Sequence, residues 1–178
     1  MEEARVSLPS DREVLVTRSF GAPRSLVYRA YTEPALFRRW CGATPGWSMP
    51  VCEIDARVGG SYQWLWRNDE GTAEFGFFGV FKEVEPNARL VHTETYDAGT
   101  LGVGMGDGES VVNVNFSEVD GVATVTTLIK YASKETRDES LASGMTDGME
   151  QNYRLLEGVL DSLGNASWLA PELRSTHC

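Results

Sequence analysis

Apolar and polar residues alternate from Glu13 to Phe20, the period of a strand with one buried face. Gly21-Ala22-Pro23 interrupts the alternation. Leu26, Val27, Ala30 and Tyr31 then fall at helical spacing, which predicts a short helix starting near Pro23. A second short helix follows, with Thr32 as N-cap, Pro34 in its first turn, and Leu36, Phe37 and Trp40 as its apolar stripe. Pro45, Gly46 and Pro50 read as an irregular link. From Val51 onward the period is two. Cys52, Ile54 and Ala56 predict a strand ending near Gly59-Gly60, and Tyr62, Trp64 and Trp66 share one face of the next, opposite Ser61, Gln63 and Arg67. Phe75, Phe77, Gly79 and Phe81 form one face of another strand, and Arg89 to Asp97 a further one. Ser110–Glu118 and Val122–Tyr131 form a hairpin joined at Asp120-Gly121. Thr136-x-x-Glu139 has the form of a capping box. Leu141, Met145, Met149, Tyr153, Leu156, Leu160 and Leu163 then recur at helical steps, predicting one long helix that stops at Gly164.

The elements add up to an α+β fold: about seven antiparallel strands, two short helices between the first and second strands, and a long C-terminal helix. A meander with one apolar face has to cover it. A straight helix laid over a curved sheet need not fill the concavity, so an internal cavity is expected. Residues 12–164 form the expected domain, with 1–11 and 165–178 as terminal extensions.

Charge and composition narrow the chemistry. Across 178 residues, 26 acids against 16 bases give a net charge of −10, which repels phosphate backbones and excludes nucleic acid as an expected partner. No run approaches the ~20 apolar residues of a membrane span, and the charged start Met1–Arg5 leads into no apolar stretch of a secretory signal. Cys41, Cys52 and Cys178 are an odd, dispersed set with no disulfide framework. A cytoplasmic protein is the resulting expectation. The histidines are His92 and His177, and neither a His-x-x-x-His nor a Cys-x-x-Cys pair occurs, so no metal and no cofactor are expected. The glycines from Gly102 to Gly108 alternate with other residues and precede a strand. They read as a mobile loop, since a dinucleotide fingerprint opens a helix.

Several segments together point to a family. Thr17-Arg18, Ala22-Pro23-Arg24, Thr32-Glu33-Pro34 running to Trp40, Asp55 to Tyr62, Gly79-Val80-Phe81, Arg89 to Glu94 and Ser143 to Met149 occur in that order. In them the chain resembles the START-like (SRPBCC) superfamily, and within it the family named for the activator of heat-shock protein 90 ATPase. The resemblance implies a helix-grip fold, a curved sheet wrapped around a long C-terminal helix. It also implies a cavity that in the superfamily holds lipids, sterols, polyketides or hormones. A chaperone is the partner that the family name suggests.

The expected function is non-catalytic binding of a small apolar or amphipathic molecule. An activator-like module acting on a chaperone ATPase and a cyclase- or hydrolase-type enzyme in the same cavity are the alternatives. The candidate ligand-binding residues are Trp40, Tyr62, Trp64, Trp66, Phe75, Phe77, Phe81, His92, Glu94, Met145 and Met149. The aromatic set supplies an apolar wall, and the methionines suit a wall that accepts varied shapes. Gly144 and Gly148 read as close-packing positions of the helix. His92 and Glu94 are the one acid/base pair on offer and weak catalytic candidates. The alternation along their strand leaves open whether they face inward or outward. Asp55 and Arg57 read as a structural ion pair, and Arg18, Arg24 and Arg29 as solvated surface. Monomer and homodimer are both compatible with the sequence.

Overall fold

The computed structural model describes residues 2–102 and 108–168. In it the strands β1 (Arg5–Ser7) and β2 (Glu13–Phe20) lead into helices α1 (Arg24–Thr32) and α2 (Pro34–Trp40). A meander follows: β3 (Trp47–Ile54), β4 (Ser61–Asn68), β5 (Glu74–Glu85), β6 (Arg89–Asp97), β7 (Glu109–Val119) and β8 (Val122–Lys130). Helices α3 (Lys134–Ala142) and α4 (Met145–Trp168) complete the order. All strand pairs are antiparallel in one eight-stranded sheet of order β1-β2-β8-β7-β6-β5-β4-β3. The two short helices therefore carry the chain from β2 to the far edge, and the meander brings it back to pair with β2. This is the expected helix-grip architecture.

Residues alternate across the sheet as the sequence pattern requires. The inward residues Val14, Val16 and Phe20 of β2 join Ala123, Val125 and Ile129 of β8 and Val112, Val114 and Phe116 of β7 in one core. Tyr153, Leu156, Val159 and Leu160 of α4 lie over it, with Phe20 edge-on to Tyr153 at 5.7 Å. Burying each such side chain contributes roughly 1.5–3 kcal/mol. Helix α1 seals the β7 side, where Tyr28 meets Phe116 at 5.4 Å. At the β7–β8 turn both Asp120 (φ 51°) and Gly121 (φ 78°) are left-handed, the geometry of a two-residue hairpin loop.

The structure corrects several boundaries. A short strand, β1, pairs Arg5↔Thr17 to Ser7↔Leu15. It escapes a pattern reading because all its residues are exposed. Strand β3 begins at Trp47 and runs through Pro50, which an edge strand tolerates at the register shift between Ser48 and Val51. It ends at Ile54, short of Gly59. The N-cap of α2 is Glu33. Thr32 is the last residue of α1, its hydroxyl donating to the Tyr28 carbonyl at 3.0 Å.

The C-terminal helix is two helices. Ser133 caps α3, its Oγ accepting from the Thr136 N–H at 3.1 Å, so the cap lies three residues before the expected one. Gly144 (φ 82°) breaks the ladder before α4, while a Cβ built on Gly148 meets nothing within 4 Å. Neither glycine serves close packing. Helix α4 continues past Gly164 to Trp168.

Arg18 is 3% exposed rather than solvated. Its guanidinium pairs with Glu157 at 2.9 Å and Glu150 at 3.5 Å and lies 5.5 Å over the Phe20 ring, tying β2 to α4. Arg57 and Asp55 pair at 2.9 Å as expected, at the surface. Positions 103–107 of the glycine-rich stretch and residues 169–178, with His177 and Cys178, lie outside the described residues.

Candidate ligand-binding site

Strand register assembles the aromatic residues into a wall. Trp64 on β4 sits opposite Phe77 on β5, which sits opposite Tyr96 on β6, while Trp66 opposes Phe75. Directly opposed rings gain contact beyond their buried area. Trp66 stacks on Phe75 at 5.1 Å and 3°, and Phe77 meets Tyr96 at 5.3 Å. Phe37 of α2 stacks on Trp64 at 4.5 Å, closing the wall from the helix side. The indole N–H groups of Trp40 and Trp66 donate to the carbonyls of Ala30 (2.9 Å) and Cys41 (3.1 Å). That of Trp64 is buried with no acceptor among the described residues.

His92 and Glu94 lie on the same inward face. His92 contacts the rings of Tyr62 (4.9 Å) and Phe81 (5.7 Å). The link between β4 and β6 is made possible by a glycine. Tyr62 sits opposite Gly79, where a Cβ would stand 1.9 Å from the Thr93 carbonyl oxygen and 2.9 Å from Tyr62 Cε1. Without that atom the phenol crosses β5, and its hydroxyl donates to the Thr93 carbonyl at 2.8 Å. The Tyr62 hydroxyl oxygen also lies 3.1 Å from His92 Nδ1 and shares a hydrogen bond with Glu94.

The proton count of this group is tight, because a phenol has one proton to donate. With that proton on Thr93, the Tyr62 oxygen accepts from His92 Nδ1–H and from a protonated Glu94. When Glu94 ionises, the phenol proton can turn to it, and His92 Nδ1 reaches the Thr93 carbonyl at 3.2 Å instead. Burial pushes the Glu94 carboxyl up to about 7, the Tyr62 hydrogen bond opposing part of the rise. Burial also lowers His92 to about 4, so the imidazole is neutral.

A small cavity of about 30 Å³ opens beside Glu94, beneath α3. Phe77, Tyr96, Ser110, Tyr131 and Ser140 are among its lining residues, and its volume is about that of one or two waters. Burial raises the Tyr131 hydroxyl to about 12, and that hydroxyl donates to Met145 Sδ at 3.0 Å. Met149 packs half-buried against the core, and neither methionine lines the cavity. On the outer face of the sheet a separate groove of about 430 Å³ runs past Gln63, Phe78, Val80 and Thr95.

The structure thus brings Tyr62, Trp64, Trp66, Phe75, Phe77, Phe81, His92 and Glu94 onto one concave face, with Trp40 buried at its α2 border and the methionines to the side. Sequence reasoning missed Tyr131 and Ser140. Extending the β8 alternation of Ala123, Val125, Thr127 and Ile129 by two residues would have placed Tyr131 inward. Ser140, buried at 1% exposure on a polar helix, carries no such signal. Burial raises the Cys41 and Cys52 thiols, which keeps them unreactive. Among the described residues no group of acids, histidines and cysteines could hold a metal, and no helix is long and apolar enough to cross a membrane.

Residues 21–161 match the family described as activator of Hsp90 ATPase homolog 1-like protein. A crystal structure of a protein from Rhodobacter sphaeroides is 32% identical, with a TM-score of 0.81 over 90% of this chain and 99% of the other. Proteins from Nitrosomonas europaea (23% identity, TM-score 0.75, 89% and 99% covered) and Mycobacterium smegmatis (18%, 0.77, 99% and 100%) share the fold. No curated protein matches the chain.

Proposed function

The chain belongs to the activator of Hsp90 ATPase homolog 1-like family, and within that family we propose that it binds a small amphipathic molecule without transforming it. The ligand's polar end meets Glu94 and Tyr131, and its apolar part lies along the aromatic wall. One observation carries this reading: Glu94 is a carboxyl held in an aromatic chamber, and none of the ion pairs among the described residues involves it. An ionised carboxylate in such a place costs several kcal/mol, and the Tyr62 hydrogen bond offsets only part of that cost. The N–H of Trp64 on the same wall, with no acceptor among the described residues, is a second polar group that a ligand can satisfy.

The cavity beneath α3 is smaller than an amphiphile, so entry requires α3 to move. Its seal is thin: the residues it buries are Arg137 and Ser140, and Gly144 separates it from α4. Native mass spectrometry of gently purified protein tests the reading. The expected result is a discrete added mass of a few hundred daltons that leaves on unfolding. A protein that carries no guest and whose tryptophan fluorescence ignores every added amphiphile overturns it.

A second reading, an activator-like module for a chaperone ATPase, is favoured by the family match. It predicts a concentration-dependent rise in ATP turnover by the cognate chaperone, with no dependence on Glu94.

A further inference from the structure

The lining of the cavity beneath α3 is one-sided in charge. One carboxylate, Glu94 on β6, borders it together with the rings of Phe77, Tyr96 and Tyr131; Glu109 on β7 pairs with Thr95 and turns its side chain to the outer face. Among the described residues its other lining groups are hydroxyl-bearing or small, with no lysine, arginine or histidine. A carboxylate set among aromatic rings is the chemistry that recognises a cation: the charge pairs with the acid, and the ring quadrupoles add attraction that grows as water is excluded. The volume of about 30 Å³ matches a compact –NH3+ group better than a trimethylated one. We propose that this cavity takes the primary ammonium head of an amphipathic amine, with Glu94 as its counter-ion and Phe77, Tyr96 and Tyr131 around it. The assignment rests on the ligand-binding reading above and specifies its ligand class.

The groups that face Glu94 fit this role. Tyr62 from β4 supplies its hydrogen bond, Ser110 is the β7 residue opposite it, and Tyr131 beyond β8 and Cys41 beyond α2 are neutral; Glu109 of β7 lies on the outer face. His92 on β6 is neutral, and Arg137 of α3 is engaged with Ser10 and Asp138. The ligand therefore brings the cation that the described lining lacks, and a protonated Glu94 must give up its proton to receive it. The proton leaves for solvent as the ammonium enters.

The test titrates n-octylamine, 1-octanol and octanoate into the full chain, followed by tryptophan fluorescence and calorimetry in two buffers of different ionisation enthalpy. At pH 8, octylamine is expected to bind at least about tenfold tighter than octanol, with octanoate weakest. At pH 6 its binding should release about one proton per ligand. Glu94→Gln should reduce octylamine to the octanol level, abolish the proton release and leave octanol binding within about twofold. Equal binding of octylamine and octanol refutes the ammonium assignment and leaves ligand binding standing. A preference for amine that survives in Glu94→Gln also refutes it, by tracing the preference to the acidic surface. If none of the three binds, the ligand-binding reading falls with it. Should the variant fold poorly, the proton release of the unaltered protein decides alone.

Discussion

His92 and Glu94 stand two residues apart on one face of β6, and burial moves their protonation in opposite directions, His92 down to about 4 and Glu94 up to about 7. Both shifts favour the neutral form, so near neutrality the chamber carries at most the charge of a part-ionised Glu94. A ligand or proton entering it changes the electrostatics of a nearly uncharged space.

Acid should weaken the fold through His92. Its folded value of about 4 lies below the ordinary 6.5, so the unfolded chain takes up the proton first. The contribution is whole above the unfolded value and is lost as pH falls through 6.5 towards 4, up to about 3 kcal/mol. Urea denaturation at pH 7 and pH 4 should show this loss as a difference from His92→Gln, because the Glu94 contribution is common to both proteins and cancels.

Glu94 has the opposite sign. Its folded value of about 7 lies above the ordinary 4.5, so its stabilising contribution is whole below 4.5 and is lost as pH rises through 7. Relative to Glu94→Gln, the unaltered protein should lose up to about 3 kcal/mol between pH 5 and pH 8. A constant difference between the two across that range would show that the carboxyl is not held in a desolvated site.

Tyr62→Phe removes the hydroxyl that donates to Thr93 at 2.8 Å and touches His92 at 3.1 Å. Leaving those buried groups without it should cost about 1–3 kcal/mol. Because the Tyr62 hydrogen bond lowers the Glu94 value, the variant should titrate Glu94 at higher pH, read from the carboxyl carbon resonance by NMR.

Two glycine substitutions should have opposite outcomes. Gly79→Ala places a methyl 1.9 Å from the Thr93 oxygen and against Tyr62, which no rotamer relieves. A loss of about 1–3 kcal/mol is expected, together with displacement of the Tyr62 ring. Gly148→Ala meets nothing within 4 Å in an α4 helix and should stabilise by about 1 kcal/mol. Equal effects at the two positions would contradict the crossing of the phenol over β5.

Much of this was legible because the strands of the meander keep one dry face, so the aromatic wall announces itself by alternation at Tyr62, Trp64 and Trp66 and again at Phe75 and Phe77. Strand β6 is different. Leu90, Val91, His92 and Thr93 are all buried, so alternation vanishes where the acid/base pair sits and the inward side of His92 cannot be read. The helix break was hidden for another reason. Leu141, Met145 and Met149 keep helical spacing straight across Gly144, since the chain resumes its helix almost at once with the apolar side still turned to the core. The link from Tyr62 to Thr93 depends on which residues face each other across three strands, a register that no local pattern encodes.

The break at Gly144 also divides the C-terminal segment in time. Helix α4 is pinned by Tyr153, Leu156, Val159 and Leu160 and by the buried Arg18 pairs, so the amides of its central turns should exchange with solvent only when the whole domain opens. Helix α3, with two buried side chains and its own Ser133 cap, should act as a separate cooperative unit whose amides exchange through a local and cheaper opening. A continuous helix would have bound the two into one event. The single left-handed glycine lets the roof over Glu94 breathe on its own clock while the core beneath stays closed.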